Sequence, residues 1–197
     1  MGQVRTAVAS PIPRAAEAPA HALVPGQRGR TPRRELRRLR DRDRRSARLA
    51  ELYGLRALVL AASDLVRAGW LQGAWAAYPT VVGTRLVVSS RDLAPGLDEP
   101  VGVCLVGALV SAGGGPAAAR EQPVQRALDL TWHALHADPA APVRWCPAPP
   151  ERAAHVRELT RWNDTAGRTA ADVVALLDSA DQHAAREVRR YREPLPV

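Results

Sequence analysis

Val101-Gly102-Val103-Cys104-Leu105-Val106-Gly107-Ala108-Leu109-Val110-Ser111-Ala112 carries no charged side chain, and its only hydroxyl is Ser111. A surface helix needs a polar face, so a helix apolar on all sides belongs in the middle of a bundle. Gly107 and Ala108 lack bulk and would let a neighbouring helix approach closely. Gly113-Gly114-Gly115-Pro116 ends the run. A buried strand is the alternative, because a short apolar run has no period to arbitrate. The uncharged stretch is too short to span a bilayer.

Amphipathic segments flank this run. Leu55 to Trp70 places Leu55, Leu58, Val59, Ala62, Leu65 and Val66 at helical spacing, with Gly54 and Gly69 as punctuation. Gln122 to Ala137 turns Val124, Ala127, Leu128, Thr131, Ala134 and Leu135 inward, and Asp138-Pro139 stops it. Glu151 to Trp162 follows a Pro-rich loop that holds Trp145 and Cys146. Thr169-Ala170-Ala171-Asp172 is a capping box with Asp in the third helical place, and Val173, Leu176, Leu177, Ala180, Ala184, Val188 and Tyr191 form the stripe behind it. Val81, Val82, Leu86, Val87 and Val88 around Gly83-Thr84 suggest a short β-hairpin near residues 80–88. The expected fold is mainly α: about five helices packed around one apolar central helix.

The chain has 197 residues, enough for one domain with a tail. It has no Phe and no Lys, so its 28 basic residues are all Arg, as in proteins of high-GC bacteria. Residues 1–50 hold 13 Arg against Glu17, Glu35, Asp41 and Asp43, a net charge of +9, whereas the rest of the chain is close to neutral. This charge partition divides the chain into three parts. Residues 1–30 form an Ala/Pro/Arg-rich tail that cannot bury enough apolar surface to order itself. Residues 31–50 form an Arg-rich helix or arm, with Thr31-Pro32 as its start, and residues 51–193 form the helical domain. An arginine arm suits phosphate backbones, so weak nucleic-acid contact through Arg28–Arg48 is expected. No aromatic residue lies between Met1 and Glu51 to stack on bases, and a tail that only keeps the protein soluble accounts for the same residues. No secretory signal is visible and two cysteines cannot staple a fold, which suggests reduced thiols and a cytoplasmic protein.

Four segments together carry a resemblance: Trp70-Leu71-Gln72-Gly73-Ala74, then Cys104-Leu105-Val106-Gly107-Ala108-Leu109, then Trp162-Asn163-Asp164, then Arg168-Thr169 leading into Val173-Val174-Ala175-Leu176-Leu177. In order and spacing they resemble a domain family of unknown function found in high-GC bacteria and their viruses. The resemblance runs from about Leu55 to Asp181 and leaves out the arm. Tyr78 to Pro100 looks longer than the loop of that family. The resemblance implies a shared fold and no activity.

Among candidate chemistries, Cys104 comes first. In the first turn of a helix beginning at Gly102 or Val103, its sulfur would meet unpaired N–H groups that favour thiolate. A nucleophile also needs a base and an orienting group. His133, His136 and His155 are possible bases, with His155 preferred, and Asn163 or Asp164 could orient one. A buried cysteine acting as a small hydrophobe is the simpler account and fits the apolar neighbours of Cys104. Trp70, Gly107, Trp162 and Thr169 are read as structural: two anchors, a close approach and a cap. Asn163 is expected to take the left-handed conformation that closes a helix, with Asp164 bonding nearby backbone. Asp129, His133 and His136 share one helix face, but without a fourth ligand a solvated face is the simpler account, and neither metal nor cofactor is expected. P-loop, G-x-G-x-x-G, H-E-x-x-H and G-x-S-x-G motifs are absent. The favoured function is therefore a non-enzymatic interaction or regulatory module, with a thiol-dependent enzyme as the rival.

Overall fold

A computed structural model describes residues 33–89, 99–136, 141–143, 145 and 148–192. Among them are five α-helices: α1 (Arg33–Ala68), α2 (Leu105–Ala112), α3 (Gln122–His136), α4 (Pro149–Asn163) and α5 (Ala170–Arg192). A short sheet of β1 (Ala76–Thr80), β2 (Gly83–Val87) and β3 (Gly102–Val103) joins α1 to α2, and Pro116–Arg120 forms a 3-10 turn before α3. The tail reading of residues 1–30, the Thr31-Pro32 start, the Asp138-Pro139 stop and Cys146 fall outside the described residues.

The apolar run lies at the centre, as its composition implies. Leu105 to Val110 are all buried, and α2 touches α1, α3 and α4. Only part of the run is helical, however. Gly102 and Val103 form the third strand of the sheet, and Cys104 is the residue that caps α2. Both readings of the run were therefore partly right, and the boundary falls at the cysteine. The reason is the chain before it: Ala76 and Ala77 pair antiparallel with Val103 and Gly102, and Trp70 bridges Val103 in parallel. These partners are remote in sequence and invisible to periodicity.

The hairpin also forms, with its turn just before Gly83-Thr84 rather than at it. Ala76–Thr80 pairs with Gly83–Val87, and Val81-Val82 makes the turn. Order in the sheet is β2-β1-β3. Ala76, Ala77 and Tyr78 are buried, while the tip is fully exposed.

Gly54 does not end a helix. α1 runs unbroken through it for 36 residues, and nothing approaches within 4 Å of where its side chain would be. A mid-helix glycine costs only about 1 kcal/mol, and the docking of α1 on α5 outweighs that. Leu52, Leu55, Val59, Ala62 and Val66 of α1 are buried against the Val173, Leu176, Leu177, Ala180, Ala184 and Val188 stripe of α5. The two helices are antiparallel: Arg56 holds Asp181 through two hydrogen bonds of 2.7 and 3.0 Å, and Arg45 donates to the Tyr191 carbonyl. The capping box forms, with Thr169 N donating to Asp172 Oδ2 (2.9 Å) and Asp172 N to Thr169 Oγ1 (3.2 Å). No described helix is long and apolar enough to cross a membrane.

Candidate functional site: the Cys104–Asn163 junction

The N-terminus of α2, the C-terminus of α4 and the segment after α1 meet at one junction. Asn163, the last residue of α4, is fully buried. Its Oδ1 accepts from Trp70 Nε1 (3.0 Å) and from Leu105 N (3.1 Å), and its Nδ2 donates to the Leu71 carbonyl (3.2 Å) and to Asp164 Oδ1 (2.8 Å). A carboxamide has two acceptor sites and two donors, so its side-chain capacity is filled. Gln72 Nε2 donates to the Asn163 carbonyl (2.8 Å) and the Thr165 carbonyl (3.1 Å). Asp164 Oδ1 also accepts from Gly73 N (3.0 Å). The polar members of Trp70-Leu71-Gln72-Gly73 and Trp162-Asn163-Asp164 thus bind each other across the junction.

Asn163 does this while still helical. None of the described non-glycine residues has a positive φ; Asp164 closes the helix at φ −88° and Gly167 takes the left-handed turn at φ +80°. The expected left-handed Asn163 is corrected: its side chain, not its backbone, is what the junction uses. Trp162 sits at the rim, half-buried, with the Arg168 guanidinium 3.9 Å from its ring centre.

Cys104 sits beside this junction. Its Sγ accepts from Gly107 N at 3.3 Å, as a serine or aspartate would at a helix start, and its own N donates to the Trp75 carbonyl (3.0 Å). It precedes the first turn rather than lying in it, and it is 1% exposed. Burial pushes its thiol up to about 11, more than the hydrogen bond from Gly107 N brings it down; the carboxylate of Asp164 pushes the same way. The backbone N–H contact expected from the sequence is present, and burial works against the thiolate it would favour. Gly107 is a close approach, but to a strand end rather than a helix: a Cβ there would overlap the Trp75 carbonyl oxygen.

The histidines lie elsewhere. His155 is eight residues before Asn163 on α4, about 12 Å along the axis. Its ring stacks on Trp132 at 3.7 Å, and its Nδ1 is 3.8 Å from the buried Asp129. His133 meets His183 edge to face at 5.1 Å, and His136 faces Glu158 at 3.4 Å. Cys104, Asn163 and Asp164 come together, then, and His155 does not join them. The shared helix face of Asp129, His133 and His136 is also not a ligand set: Asp129 holds Arg152 at 3.2 Å while the two histidines turn to different partners. Among the described residues, no group of three His, Cys, Asp or Glu side chains is placed to hold a metal ion.

The sequence assigns Gln72 no role beyond its place in the Trp70–Ala74 segment, and it does not reveal the Trp132–His155 stack. The Trp70-to-Gly73 segment had no period to place it, and only its i, i+2 polar pattern hinted at a shared partner.

No curated protein and no solved structure matches the chain. A family model, described as a family of unknown function (DUF6197), matches residues 55–183. That span begins within α1 and ends within α5; it contains the whole junction and excludes the arginine-rich start of α1. The chain belongs to this family of unknown function.

Proposed function

We propose that the protein is a non-enzymatic interaction module whose arginine arm contacts nucleic-acid backbones weakly and without sequence preference. One observation carries this reading. Residues 33–44 of α1 are exposed on every side, an extension of about 18 Å with seven arginines against Glu35, Asp41 and Asp43. Opposite charges three or four residues apart support the helix, as Arg44 and Asp41 do at 3.8 Å, while the excess of arginine faces solvent. The polar groups of the junction support the same reading from the other side, because they are already bonded to one another. A thiol-dependent enzyme built on Cys104, Asn163 or Asp164 would need a base other than His155.

The test is a salt series on the full-length chain against a random-sequence duplex. Each arginine–phosphate contact contributes about 0.9 to the slope of log affinity on log salt. Replacing Arg33, Arg34, Arg37, Arg38, Arg40 and Arg42 with Gln should lower both the affinity and that slope. Equal affinity and equal slope in the two proteins reject the arm as the contact.

A further inference from the structure

A cleft of about 630 Å³ opens between the end of α2, the Pro116–Arg120 turn, α3 and α4. That volume is within the range of small-molecule sites, ~300–1,000 Å³. Its walls are apolar: Trp75, Val110, Leu128 and Val156 line it, with Ala153 at the α4 edge. Three guanidinium groups, those of Arg120, Arg152 and Arg157, also line it, and no acidic side chain does among the described residues. Arg152 is tied to the buried Asp129, 3.2 Å away, which fixes it in the wall. Arg120 and Arg157 make no ion pair among the described residues and are exposed at the rim.

We propose that this cleft binds an organic anion: a carboxylate, sulfonate or phosphate carried on an aromatic or branched apolar body. The body replaces water against Trp75, Leu128 and Val156, where burial of apolar area is favourable. The head group meets Arg120 and Arg157, which have no ion-pair partner among the described residues; hydrogen bonds between ions are the strong ones, and an apolar wall strengthens them further. Pro149 and Pro150 begin α4 here and lack N–H groups, so the anion's donors are side chains rather than a helix start. A neutral ligand of the same shape gains only the wall contacts. The site is distant in the sequence from the arginine arm and independent of it.

The probes are anilinonaphthalene sulfonate and its uncharged counterpart phenylnaphthylamine, titrated by fluorescence into the full-length chain. The sulfonate should bind saturably to one site, at least about tenfold more tightly than the amine. Arg120→Gln with Arg157→Gln should weaken the sulfonate about tenfold and leave the amine unchanged. Ala153→Trp should fill the cleft and remove binding of both. The exposed arginine pair tests the site even if the tryptophan variant fails to fold. The proposal is overturned if the sulfonate shows no saturable binding, if both probes bind equally, or if the arginine pair changes nothing. Persistence of sulfonate binding in a folded Ala153→Trp protein places the probe elsewhere and also overturns it. The six-Gln arm variant should bind the sulfonate as the natural chain does, so failure here and failure of the arm are separable.

Discussion

The junction at Cys104 and the arm at Arg33–Arg44 are opposite in kind. At the junction the side chains that look chemical, a thiol, a carboxamide and a carboxylate, are bonded to backbone or to one another, and Asn163 has no unused side-chain donor or acceptor. On the arm the residues are repetitive and their excess charge is exposed. The distinctive motif therefore holds the fold together, and the proposed contact with nucleic acid falls to the low-information segment. The physical cause is burial. A buried polar group must be paired to be tolerated, which specifies its neighbours closely. A solvated arginine tolerates many.

Several substitutions probe that contrast. Gly107→Ala should have the largest effect, because the new methyl group would displace the Trp75 backbone that also accepts from Cys104 N. We expect a loss of about 4 kcal/mol in urea unfolding. Asn163→Ala leaves Trp70 Nε1, Leu105 N and the Leu71 carbonyl without their partner, and should cost about 3 kcal/mol in the same measurement. An Asn163→Ala protein of natural stability would show that the junction does not hold the fold.

Acid should act through His183 on α5. Burial, with Arg186 and His133 nearby, lowers His183 to about 4. Between pH 6.5 and 4 the unfolded chain takes up a proton that the folded chain refuses. Stability is full above 6.5 and falls as the pH drops toward 4. Asp172, held low by hydrogen bonds from the Thr169 backbone and hydroxyl, and Glu158, held low by the Trp132 indole, act only at lower pH. A pH series of urea midpoints should therefore slope between 6.5 and 5, and His183→Leu should flatten it. The six-Gln arm variant stands at the small end, with a change below about 0.5 kcal/mol. A larger loss would mean that the arm packs on the body.

Much of this was legible in the chain. The buried run at Leu105–Val110, the stripe and capping box of α5, and the two apolar faces of α3 and α1 follow from spacing alone. Three features were not. Gly54 looked like a boundary because local propensity says nothing of the α5 surface that carries α1 through it. Gly102-Val103 looked helical because its strand partners, Ala76 and Ala77, are far away in sequence and of low β-propensity. The first-turn placement of Cys104 turned on the helix start, where one residue separates a first-turn thiol from a buried cap. The order Cys, His, Asn suggested a catalytic set, yet chain order does not tell which face of α4 His155 occupies.

Cys104 alkylation tests the structural reading most directly. In a Cys146→Ser background, the rate of thiol modification is followed against pH and against urea below the unfolding transition. A capping thiol should react only when the fold opens, at a rate that rises with urea in step with unfolding. Fast modification of the folded protein, titrating near or below the value of a free thiol and indifferent to urea, would contradict it.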